Sequence, residues 1–129
     1  MSEKLCALKK IGGGTLKETT LWTNASPTSN FVGQIVTLSE SLDNYNALRF
    51  YYNKATSSST TVSYIDVPKD IFTNMGGAGI TLYADYPYCR SIQMASSNQI
   101  TFGNTMLIGV NVSSYLNHVC VPTKICGLS

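Results

Sequence analysis

Charge is what this sequence has least of. Only 12% of its 129 residues are charged, about half the share of an average soluble domain. Nine basic and seven acidic side chains leave a net charge of +2. A nucleic-acid binder carries a clustered basic face. Here the one basic cluster is Lys4, Lys9 and Lys10, so no nucleic-acid partner is expected. Long apolar runs are missing too. The most apolar stretch, residues 106–112, contains Gly109 and Asn111, far short of the ~18 residues of a spanning helix. The first ten residues have no uninterrupted apolar core, so neither a membrane span nor a signal peptide is expected.

Cysteine and histidine are scarce as well. Cys6, Cys89, Cys120 and Cys126 are too few and too irregular for a disulfide scaffold. On one strand, Cys120 and Cys126 would stand about 20 Å apart at ~3.3 Å per residue, beyond the ~7 Å reach of a disulfide. Free thiols, as in a reducing cytosol, are the expectation. His118, Cys120 and Cys126 fall on one face of the last predicted strand and include zinc-ligand types. Their spacing matches no zinc knuckle, so no metal or cofactor is expected. His118 is the single histidine, and nucleophilic catalysis needs a base beside its nucleophile. No Gly-x-Ser-x-Gly elbow occurs. Glu40, Asp43, Asp66, Asp70 and Asp85 are available for glycosidase chemistry, but nothing in the sequence pairs them. The chain is therefore read as non-catalytic.

Uncharged polar groups take the place of the missing charges: 15 Ser, 14 Thr, 10 Asn and 8 Tyr. With 43% apolar residues, disorder is excluded, and the length fits one domain. Residues 1–18 read as an N-terminal arm. Leu5, Leu8 and Ile11 could line one helical face before Gly12-Gly13-Gly14 ends it. From residue 19 to 129 the dominant period is two. Strand candidates are 19–23, 31–38, 45–53, 61–67, 80–86, 90–95, 99–102, 106–112 and 118–126. The segment 31–38 is apolar on both faces and is expected to be central. Residues 39–44 could hold one helical turn, and 57–61 suit a hairpin tip. In 45–53, Leu48, Phe50 and Tyr52 share one side and Arg49 and Tyr51 the other. In 90–95, Ile92 and Met94 point inward. In 118–126, Val119, Val121 and Ile125 are expected inward, with His118, Cys120 and Lys124 outward. No window carries a convincing 3.6 period. Eight or nine short strands separated by turn signals predict an all-β chain, an antiparallel, jelly-roll-like β-sandwich. Gly76-Gly77-Ala78-Gly79 lacks the Lys-Ser/Thr of a phosphate loop and is read as a turn.

The candidate ligand-binding residues are Tyr83, Asp85, Tyr86, Tyr88 and Arg90, joined by Trp22, Tyr51 and Asn53. Aromatic rings beside polar groups suit sugar stacking and also protein interfaces. The competing reading of Tyr86-Pro87-Tyr88 is a strand-end corner with half-buried rings. Asn24-Ala25-Ser26 and Asn111-Val112-Ser113 match the glycosylation triplet, which means little without a secretory signal.

Three segments carry a resemblance: residues 21–31 (LWTNASPTSNF), 36–45 (VTLS leading to LDNY) and the ending 121–128 (VPTKICGL). Together they resemble small β modules of tailed-bacteriophage and prophage structural proteins from Gram-positive and gut hosts. Such modules occur in tail fibres, baseplates and head fibres. The resemblance covers about residues 19–128 and has no catalytic motif to carry over. It implies a jelly-roll-like sandwich on a virion assembled in the host cytoplasm. It also implies a homo-oligomer, usually a trimer, beside other virion proteins and in contact with host-surface glycan. The alternatives are a stand-alone bacterial carbohydrate-binding or adhesion domain, and less readily a glycan hydrolase.

Overall fold

The computed structural model describes residues 16–56, 62–75, 80–83, 88–107 and 116–129. The arm 1–15, the expected hairpin tip at 57–61, the glycine turn 76–79, and residues 84–87 and 108–115 lie outside them. So do Cys6, Asp85, Tyr86, most of the predicted strand 106–112 and the second glycosylation triplet.

The chain is all-β, as its period-two patterning predicts. The strands are β1 (Glu18–Thr23), β2 (Gln34–Thr37), β3 (Ala47–Ala55), β4 (Val62–Pro68), β5 (Ile80–Tyr83), β6 (Tyr88–Ser96), β7 (Gln99–Phe102), β8 (Met106–Leu107) and β9 (Val119–Leu128). They form two antiparallel sheets, one ordered β1-β9-β3-β4 and one ordered β2-β7-β6-β5, with β8 also pairing β6. The chain passes between the sheets at β1–β2, β2–β3, β4–β5 and β8–β9, and forms the hairpins β3–β4, β5–β6 and β6–β7 within them. The expected helical turn at 39–44 is a 3-10 turn at Leu42–Asn44, capped by Ser41.

The alternation in β3 builds the core. Leu48, Phe50 and Tyr52 are buried beside Ile92, Ile100 and Phe102 of the other sheet. Rings of Phe31, Phe50, Phe72, Phe102 and Trp22 meet at centroid distances of 5.5–6.2 Å, the range of favourable aromatic pairs. Gly127 faces Leu48 across the β3–β9 ladder. A Cβ there would stand 2.5–2.7 Å from three ring atoms of Tyr45. The aromatic ring occupies the space that a side chain would need. Gly127→Ala is expected to cost about 2 kcal/mol by overpacking, read as a lower urea midpoint. An unchanged midpoint would refute that packing.

Four expectations change. The segment around β2 is an edge strand and not a central one. The local meander β5–β6–β7 fills that sheet from one side, so β2 joins at its margin. Val36 points in, while Val32 and Ile35 stay more than half exposed. A helix, α1 (Lys69–Met75), follows Pro68 directly. Its seven residues are too few to show a helical period, and fully buried Phe72 anchors it on Phe50. The sandwich also begins before residue 19. Lys17 and Ser129 exchange both backbone hydrogen bonds, at 2.9 and 3.0 Å, extending the β1–β9 ladder. Leu16 packs on buried Ala47 and Leu128. Finally, Cys120 is not outward. Val119, Cys120, Val121 and Pro122 are all buried, and Cys120 has φ 50°, a left-handed value rare for a non-glycine residue.

Candidate functional site

The outer face of the β1-β9-β3-β4 sheet carries a connected set of polar and aromatic side chains. Its rows follow from register. Tyr51 of β3 lies opposite Lys124 of β9 and Tyr64 of β4, and Arg49 lies opposite Cys126 and Asp66. Arg49 grips Asp66 through two parallel bonds, Nε to Oδ1 at 2.7 Å and Nη2 to Oδ2 at 2.9 Å. Its third nitrogen stands 3.5 Å from Glu18 of β1. These hydrogen bonds raise the guanidinium pKa above its ordinary value. Its plane also lies 4.5 Å from the Tyr64 ring centroid. The Tyr51 hydroxyl donates to Glu18 Oε1 at 2.5 Å. Partial burial, then this bond and the Glu18 charge, push the phenol pKa up. Lys124 Nζ rests 4.4 Å above the Tyr51 ring centroid, and Tyr64 tilts against Tyr51 at 5.8 Å.

An open groove of about 440 Å³ runs along this face. Pro27, Tyr51 and Val62 give it apolar walls; Thr23, Asn24, Thr123 and Lys124 give it a polar rim. The loop that closes one side is fixed by hydrogen bonds. Asn24 accepts from the Ser26 N–H at 2.8 Å in an Asx turn and donates from Nδ2 to Pro122 O at 2.8 Å. Its own N–H donates to Thr123 O at 2.8 Å. Buried Asn53 donates from Nδ2 to Pro27 O at 3.0 Å, and its Oδ1 is buried with no hydrogen-bond partner among the described residues. Asn53 thus supports the groove wall and does not line it.

Of the described candidate ligand-binding residues, Tyr51 alone lines this groove. Trp22 is turned into the sandwich, where it packs on Phe31 and Phe102. Tyr88 is partly buried against the core. The backbone of Tyr83 pairs with Cys89, and Asp85 and Tyr86 fall outside the described residues. Of that cluster, the side chains described are those of Tyr88 and Arg90, and neither stands free on the surface.

Arg90 corrects that expectation most clearly. It is fully buried. Its Nη1 donates to Gly103 O at 2.7 Å, its Nε to Cys120 O at 2.9 Å and its Nη2 to Val119 O at 3.4 Å. The guanidinium also lies 5.2 Å from the Phe31 ring centroid. Burial lowers its pKa to about 10, so it stays charged at neutral pH. Two local irregularities explain the arrangement. The strand facing β6 is interrupted between β7 and β8, and β9 carries the left-handed Cys120. Both break the regular ladder locally, and buried backbone acceptors demand donors. The fork of Arg90 supplies them.

His118 is exposed, whereas Cys120 and Cys126 are buried and form no disulfide among the described residues. Among the described residues no three His, Cys, Asp or Glu side chains converge as a metal ion would need. Burial raises the pKa of the Cys89 thiol, which disfavours the nucleophilic thiolate. Thr123, Lys124 and Val62 were missed as site residues because their meeting depends on sheet order. The outward phase of Lys124 in β9 was the one available signal. No protein-family model matches the chain, and no curated protein is detectably similar to it.

Proposed function

We propose that this chain is a non-catalytic glycan-recognition module, carried on a bacteriophage virion as part of a tail fibre, baseplate or head fibre. The observation that carries the glycan reading is the groove on the outer sheet. It pairs an aromatic wall, Tyr51, with neutral hydrogen-bonding groups on Thr23, Asn24 and Thr123. Sugars present apolar C–H faces and hydroxyl edges, and such a lining complements both. Short side chains on rigid strands lose little rotamer freedom on binding. The virion setting, and assembly as a homotrimer, follow from the resemblance of residues 21–31, 36–45 and 121–128.

Two features favour binding over hydrolysis. A glycosidase needs two carboxyl groups flanking the scissile bond. On this face Asp66 is held by Arg49, and Glu18 accepts from Tyr51. Neither carboxylate lines the groove. The test is to apply the purified full chain to an array of bacterial surface polysaccharides, with product analysis of every glycan bound. Retention of at least one glycan, without cleavage, is expected. No retention across the array, or release of shortened products, would overturn the reading.

A further inference from the structure

We infer that the groove prefers an anionic glycan, whose carboxylate or phosphate is received by Lys124. The inference rests on the glycan-binding reading and adds the charge class of the ligand. Its basis is an imbalance across the sheet face. Arg49 is neutralised by Asp66 and stands beside Glu18. Glu18 in turn accepts the Tyr51 hydroxyl. Lys124 forms no ion pair with any described residue; its ammonium rests on the Tyr51 ring at 4.4 Å. Among the described residues Lys124 is also the one charged residue lining the groove. The recess thus holds a single positive charge, with both neighbouring carboxylates engaged outside it.

Physical chemistry decides what such a charge favours. An ammonium over a half-exposed ring is held only weakly, so an entering anion can draw it away. The lysine stem is flexible and its head offers three rotatable donors. It can therefore follow an anion placed against Tyr51 without moving the backbone. A neutral sugar gains no such contact and must leave the charge solvated or on the ring.

The test uses three probe sets of similar length: uronic-acid oligosaccharides with their methyl esters, phosphodiester-linked polyol chains, and neutral oligosaccharides. Binding to the full chain is measured at low and high salt, for wild type and Lys124→Gln. Binding confined to the carboxylated or phosphorylated set, weakened about fivefold by Lys124→Gln and similarly by 0.5 M NaCl, is expected, in line with screening of an accessible charge pair. The two anionic arms tell carboxylate from phosphate. Equal or tighter binding of neutral or methyl-esterified sugars, unmoved by Lys124→Gln, would overturn the charge preference and leave glycan binding standing. Failure of every probe to bind would overturn both.

Discussion

Arg90→Ala should lower the unfolding free energy by about 4 kcal/mol, as a cavity term and stranded acceptors combine. That is a large share of the ~5–15 kcal/mol that holds a typical domain together. The variant would remove the donors to Cys120 O, Gly103 O and Val119 O at once. Thr105 Oγ1 still donates to Val119 O at 2.8 Å, so the Cys120 and Gly103 carbonyls carry most of the loss. Arg90→Lys should recover only part of it, because an ammonium lacks the planar fork. Arg49→Ala gives the contrast. Its pair with Asp66 is partly solvent-exposed, and such pairs contribute up to about 1 kcal/mol. Urea denaturation of the three variants checks the order. If Arg90→Ala unfolds no more easily than Arg49→Ala, the buried clamp is not what holds the broken strand and β9 together.

Tyr51→Ala should weaken glycan binding at least tenfold while leaving the fold intact. The substitution removes the aromatic wall, the surface on which Lys124 rests and the hydroxyl that meets Glu18. Truncating a large aromatic anchor at a binding site commonly costs 2 kcal/mol or more. Tyr51 is only half-buried and stands outside the core cluster, so the urea midpoint should move little. Tyr51→Phe separates ring from hydroxyl. It keeps the wall and should stay within about threefold of wild type, a change worth less than ~0.7 kcal/mol. Undiminished binding by Tyr51→Ala would place the glycan elsewhere.

The strands were legible because each buries one face, and period-two alternation is the direct imprint of that burial. Leu48, Phe50 and Tyr52 against Arg49 and Tyr51 is the clearest case. Sheet order leaves no such imprint. The exposed Ile35 and Val32 make the segment around β2 look central, whereas the β5–β6–β7 meander leaves it at the sheet margin. The helix α1 is too short for a period and is fixed by one tertiary contact, Phe72 on Phe50. Arg90 was misread for a different reason. Its phase matches Ile92 and Met94, so alternation already placed it inward. Arginine is seldom fully buried, and its chemistry invited a surface role. The need it meets, carbonyls beside an interrupted strand and a left-handed cysteine, arises only in three dimensions. The groove was half legible. Tyr51 and the Asn24 turn stood out locally. Residues 23, 24, 27, 51, 62 and 123–124 meet only because β9 inserts between β1 and β3.

The central claim is that a glycan binds in the outer-sheet groove. The most direct measurement is backbone amide chemical-shift mapping of the full chain as a bound glycan from the array is titrated in. Shifts concentrated at Thr23, Asn24, Tyr51, Val62, Thr123 and Lys124 are predicted. Shifts concentrated instead around Tyr88 and Met106, or along the exposed edge at Val32 and Ile35, would contradict it.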